Sequence, residues 1–122
     1  MSKSSLENQL AFQMKAAKLP KFEREFRFAA EFVGLGPGVK RRLFNNGLKD
    51  WRFDFFFADH LLAVEVEGGT FNNGRHNRPV GFEEDCIKYG KAMELGYSVY
   101  RCTGNMVKNG QALKTIEILL DI

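Results

Sequence analysis

The chain has 122 residues, 44% of them hydrophobic and 27% charged, with 12 Phe and only 3 Pro, which excludes a disordered or collagen-like chain and fits one globular domain spanning residues 1–122. No stretch approaches the roughly 18 uninterrupted apolar residues of a membrane span, and the opening "MSKSSLENQL" lacks the apolar centre of a secretory signal, so a cytoplasmic protein without a membrane partner is expected. The net charge of +3 suits an anionic partner without identifying one.

Ser4 and Glu7 have the spacing of a capping box, and Leu6, Leu10, Met14 and Ala17 recur at helical intervals until Pro20, which predicts a helix over 5–18. In "KFEREFRFA" Phe22, Phe26 and Phe28 alternate with Glu23, Glu25 and Arg27, the pattern of a strand over 22–28, although a helix over 21–33 is the alternative. "GLGPGVKRRLFNNGLKD" follows, a short helical piece with Pro37 near its start and Gly47 as its cap. It reads as an inserted surface element whose Lys40, Arg41 and Arg42 are candidates for phosphate contacts or for a plain solvated face.

Residues 51–67 read as a β-hairpin turning about Asp59 and His60. With Ala58 opposite Leu61, Asp54 lies opposite Glu65 and Arg52 opposite Glu67, all four on one face. The other face is then Trp51, Phe53, Phe55 and Phe57 against Leu62, Val64 and Val66, and a slip by one residue would mix the two. Beyond it, "GGTFNNGRHNRPVG" is a long Gly-rich basic connection of the kind that often carries function.

Phe82, Cys86, Tyr89 and Met93 predict an amphipathic helix with Glu83, Glu84 and Asp85 in its first turn and a stop at Gly96. "YSVYRC" reads as a strand, and "NGQALKTIEILLDI" as a C-terminal helix with Leu113, Ile116 and Leu120 inward. Cys86 and Cys102 lie in apolar segments outside any Cys-x-x-Cys or Cys/His pattern, so buried free thiols are expected rather than a disulfide or zinc site.

Two carboxylates opposed across a hairpin repel one another, so Asp54 and Glu65 call for something positive between them. An exposed sheet face with alternating charge, Arg52 pairing Glu67, is the plainer reading. Oxygen ligands at this spacing suit Mg²⁺, with Mn²⁺ as a substitute, better than zinc. A metal-bound carboxylate site beside a basic loop fits phosphodiester hydrolysis. A glycosidase with two carboxylates is less attractive, because the chain offers little of the extended aromatic cleft a sugar polymer needs.

Asp54, ten intervening residues and then Glu65-Val66-Glu67 resembles the PD-(D/E)XK nucleases. "WRFDFFFADHLLAVEVEGG", "GRHNRPVGFEEDCIKYGKAMELGYSVYRCT" and "EREFRF" are similar to the small phage and bacterial endonucleases related to very-short-patch repair, from about residue 20 to residue 107. The resemblance implies an α/β (α+β) restriction-endonuclease-like fold, a four-stranded mixed sheet flanked by helices in the order αβββαβ, with residues 29–50 as an insertion. It also implies a Mg²⁺-dependent DNA endonuclease, monomeric or homodimeric, in which Asp54 and Glu65 bind metal and the carbonyl of Val66 is an extra ligand. Glu67 departs from the motif, standing where a lysine is usual, and is assigned to a second metal or to the attacking water. Lys88 is the candidate replacement, reaching in from the following helix, with an ordinary i, i+4 pair to Glu84 as its alternative. His76 is a candidate general acid, Arg75 and Arg78 candidates for bidentate phosphate contacts, and Glu25 and Arg101 secondary candidates for the same cleft. The missing lysine leaves a second reading, a nucleic-acid-binding module of the same fold without catalysis.

Overall fold

The computed structural model describes residues 2–68 and 79–122, with side chains from Gly81 onward in the second segment. The elements run α1 (Lys3–Ala16), β1 (Glu23–Phe26), α2 (Phe28–Val33), α3 (Val39–Asn45), β2 (Phe53–Phe57), a 3₁₀ turn (Ala58–His60), β3 (Leu62–Glu67), α4 (Pro79–Glu94), β4 (Ser98–Thr103), α5 (Gly104–Lys108) and α6 (Gln111–Leu119). The four strands form one open mixed sheet in the order β1-β2-β3-β4, antiparallel across the first two pairs and parallel between β3 and β4. The parallel pair follows from α4, which carries the chain back over the sheet as a crossover must. The protein is thus α+β, a four-stranded mixed sheet flanked by helices.

Both faces of the sheet are covered. On one, Leu6, Leu10 and Met14 of α1 with Val107, Ala112 and Ile116 pack on Phe55, Phe57, Leu62, Val64 and Val66. On the other, Phe28 and Ala29 of α2, Leu43 of α3 and Ala92 of α4 pack on Phe53, Phe56 and Ala63. Phe28 stacks on Phe53 at 4.1 Å and Phe26 on Phe56 at the same distance, so the second core is largely aromatic.

The hairpin register is the one its alternation dictates, Phe55 opposite Val64, Phe56 opposite Ala63 and Phe57 opposite Leu62. Leu61, with φ of 50°, closes the turn in the left-handed region that the absence of glycine leaves to it. Face assignment departs from the expectation at one place. Phe55 and Phe57 belong to the α1 side, but Phe53 and Trp51 pack with Phe56 on the other, so the alternation breaks across Asp54. Opposite Asp54, between the pairs Arg24–Phe55 and Phe26–Phe53, stands Glu25 with φ of 53°, a costly conformation for a non-glycine residue in a strand.

Other boundaries also move. Helix α1 begins at Lys3 with Ser2 as its cap, whose hydroxyl accepts from Ser5 N–H at 3.1 Å, so Ser4 and Glu7 form no capping box and Ala17 is exposed. Residues 34–50 lie mostly at the surface, anchored by Leu43 and Leu48, which are buried in the second core. Helix α4 starts at Pro79, which leaves Glu83, Glu84 and Asp85 past its first turn. Its expected apolar stripe is wrong: Phe82 and Met93 are 63% and 70% exposed and Cys86 is exposed, while Ala92 is fully buried. Residues 104–108 form a helix of their own before the C-terminal one, whose Ile116 and Leu120 are buried as expected. Among the described residues no helix is long and apolar enough to cross a membrane.

Candidate functional site

Only three charged side chains are buried among the described residues, Glu7 and Asp54 at 8% exposure and Glu65 at 5%, and Asp54, where β2 and β3 part company, links the other two, sharing Lys3 with Glu7 and giving its backbone N–H to Glu65. The ladder between these strands ends at Phe55 and Val64. In the place of the next rung the carboxylates themselves bridge the strands. Asp54 N–H donates to Glu65 Oε2 at 2.7 Å, and Val66 N–H donates to Asp54 Oδ2 at 2.8 Å. Each acid therefore satisfies a backbone donor of the opposite strand, which is how two buried carboxylates are accommodated side by side.

Cations reach the pair from helices on opposite faces. From α1, the Lys3 ammonium donates to Asp54 Oδ1 at 2.9 Å, to Asp54 Oδ2 at 3.0 Å and to Glu7 Oε2 at 2.7 Å. Burial works against the Lys3 charge, but the hydrogen bonds to Glu7 and Asp54 outweigh it and hold its pKa above the ordinary lysine value. From α4, Lys88 Nζ donates to Glu65 Oε1 at 2.6 Å and the Tyr89 hydroxyl to the same oxygen at 3.1 Å. Glu65 is raised above the usual carboxylate range, first by burial and then by the Asp54 charge, with Lys88 opposing both. Burial and the neighbouring Glu65 and Glu67 push the Tyr89 phenol up as well, so it stays a donor. Beneath them the Cys102 thiol lies 3.7 Å from the Glu65 carbonyl and is pushed by burial to about 12, which leaves it unreactive.

One carboxylate oxygen from each of Glu7, Glu25 and Asp54 lies within 4.8 Å of the other two, a spacing at which a single cation can bridge all three. Asp54 and Glu65, paired in the sequence reading, are in direct contact through the Asp54 backbone. The expected common face for Asp54, Glu65 and Glu67 gives way to two sides, because the reversal at Asp54 turns it toward α1. Glu65 and Glu67 stay toward Tyr89, Lys88 and Arg101, where Arg101 Nε and Nη2 each lie 3.2 Å from a Glu67 oxygen and its guanidinium sits 4.6 Å from the Tyr89 ring centre. Val66 contributes its backbone N–H to Asp54. Lys88 contacts Glu65 on the sheet, and the helix neighbour Glu84 lies 3.8 Å from Lys49.

Glu25 joins the cluster as a secondary candidate, and Glu7 is the member the sequence reading placed elsewhere. The overlooked signal is that Lys3, Glu7, Leu10 and Met14 follow one another at four-, three- and four-residue steps, which continues the buried stripe of α1 into charged residues. Of the three basic residues of α3, Arg42 is the one turned to the protein backbone. Its guanidinium donates to the carbonyls of Val33, Gly34, Leu35 and Pro37 and ties the end of α2 to α3. Lys40 and Arg41 are exposed on α3. Arg75, His76 and Arg78 lie outside the described residues.

A cleft lined by Lys49, Trp51, Glu84, Asp85, Ile87 and Lys88 opens on the Glu65 side of the cluster. Comparison of the chain with protein-family models, with curated proteins and with solved structures finds no match.

Proposed function

We propose that the protein is a Mg²⁺-dependent DNA endonuclease with a restriction-endonuclease-like core. The observation that carries the reading is the pair of buried carboxylates, Asp54 and Glu65, inserted between two parting strands with Lys88 at 2.6 Å from Glu65. Burying like charges side by side costs stability that an apolar pair would not cost, and such arrangements cluster at functional sites. With α2 and α3 set aside as the expected insertion, the order of α1, three antiparallel strands, α4 and a parallel fourth strand supports the αβββαβ reading that the motif implies.

In this reading Asp54 is the central metal ligand, with Glu25 and Glu7 beside it and Glu65 behind it, bonded to the Asp54 backbone N–H. Bound there, Mg²⁺ would polarise the scissile phosphate and lower the pKa of the attacking water. Lys88 takes the part of the lysine that Glu67 displaces: its ammonium is fixed by Glu65 on the cleft side, where it can hold a phosphate oxygen or orient the water. Lys49 in the cleft and the exposed Lys40 and Arg41 supply sequence-independent phosphate contacts. In the same proposal Arg75 and Arg78 are assigned phosphate contacts and His76 the part of a general acid.

One observation favours a second reading, a nucleic-acid-binding module without catalysis. Glu67 stands at the motif's lysine position and is itself engaged by Arg101. Nicking of supercoiled plasmid, branched and mismatched DNA separates the two. The expected result is cleavage with Mg²⁺ or Mn²⁺, none in EDTA, and a loss of about 100-fold or more in Asp54→Asn with DNA binding retained. DNA binding without metal-dependent cleavage of any of these substrates would select the second reading.

A further inference from the structure

We propose that Lys3 is a tethered cation that occupies the divalent-metal position of the Glu7–Glu25–Asp54 cluster, so that metal must displace it. This rests on the reading of that cluster as a metal site. The ammonium is seated as a bound ion would be, shared among Glu7 Oε2 and both Asp54 carboxylate oxygens at 2.7, 2.9 and 3.0 Å. These carboxylates belong to the set whose oxygens lie within 4.8 Å of one another, and two oxygen clusters so close need a positive charge among them.

Two independent features indicate that the chain is arranged to hold Lys3 there. Lys3 is the first residue of α1, and the first turn carries no acidic residue. A cation at that end opposes the helix dipole, which favours anions there. Its placement therefore finds its return in the carboxylates and not in helix formation. Gly68, directly after β3, gives the stem its path: a Cβ at Gly68 would stand 2.9 Å from Lys3 Cβ and 3.2 Å from Cγ, too close for any side chain without a shift of the helix start. The other basic group near the cluster, Arg24, reaches only to 4.0 Å of Glu7 Oε1, so Lys3 carries the close contacts. With the ammonium in place part of the cluster's negative charge is balanced without metal. A divalent ion bound by the same oxygens leaves no room for it at hydrogen-bond distance, and the lysine swings out on its four-carbon stem.

The test titrates Mn²⁺ into the wild-type protein and Lys3→Met by calorimetry, and in parallel follows acetylation of each lysine of the wild-type protein by mass spectrometry with and without Mn²⁺. Lys3→Met, which keeps the stem and removes the charge, is expected to bind Mn²⁺ at least tenfold more tightly. Wild-type Lys3 is expected to become several-fold more reactive when Mn²⁺ saturates, while Lys15 and Lys114 do not change. Equal affinity of the two proteins, or Lys3 reactivity unaltered by saturating Mn²⁺, overturns the tethered-cation proposal but leaves the metal site standing. No Mn²⁺ binding by either protein overturns both. Should Lys3→Met fail to fold, the acetylation arm decides alone.

Discussion

Glu65 is a carboxylate that the fold keeps under electrostatic pressure, and its proton is therefore linked to stability. Burial and Asp54 raise its pKa above the ordinary 4.5, with Lys88 only partly opposing. The folded state thus holds this proton more tightly than the unfolded state does. The associated stability is fully present below pH 4.5 and is lost as pH rises through the raised folded value. Glu65→Gln has no proton to lose. In the metal-free protein the melting temperature of Glu65→Gln relative to wild type should climb as pH rises above 4.5 and level off once pH passes the raised folded value, in circular-dichroism melts. A difference that does not change with pH would mean that Glu65 is not under this pressure. The assignment of Lys88 had two readings in the sequence, and the distance of 2.6 Å to Glu65 favours the one that crosses from α4 to the sheet. For Lys3 the four-residue step to Glu7 extends the buried stripe of α1, but helical spacing does not say which carboxylate, 51 positions later, it meets.

Among the elements, the hairpin was the most legible, because a period-2 pattern of Phe and Val against charge admits only one register. The same pattern could not report the break at Asp54. That break depends on Glu25 across the strand, whose left-handed φ is a tertiary outcome. Helix α4 was located but misoriented. Its residues turned toward the sheet, Gly81, Asp85, Lys88, Tyr89 and Ala92, are mostly small or polar, so apolar periodicity points instead to exposed Phe82 and Met93. The short α2–α3 segment illustrates the third kind of miss, in which three basic residues in a row look alike but only one is structural. Arg42→Met should lose the tie to the four carbonyls and destabilise the protein by about 1–3 kcal/mol. Lys40→Met and Arg41→Met should stay within about 0.5 kcal/mol of wild type in urea titrations. Comparable losses at all three positions would contradict the structural role of Arg42.

At the scale of the molecule, helices on both faces of the sheet bring two basic residues to one acidic junction from opposite directions, Lys3 from α1 and Lys88 from α4. Neither could be reached by a hairpin alone. The fold class was legible because the order of elements, with a crossover helix before the last strand, leaves few arrangements open. The composition of the acidic cluster was not, because Glu7, Glu25 and Asp54 come from three elements whose packing the local sequence does not encode. The central claim is that this junction, with Asp54 at its centre, is a divalent-metal site. Crystals soaked in Mn²⁺ and measured at its absorption edge test it most directly. The account predicts one anomalous peak within coordination distance of an Asp54 carboxylate oxygen, absent in Asp54→Asn, with Lys3 withdrawn from it. Saturating Mn²⁺ with no peak at Asp54, and the Lys3 ammonium still bound to its carboxylate, would contradict the account.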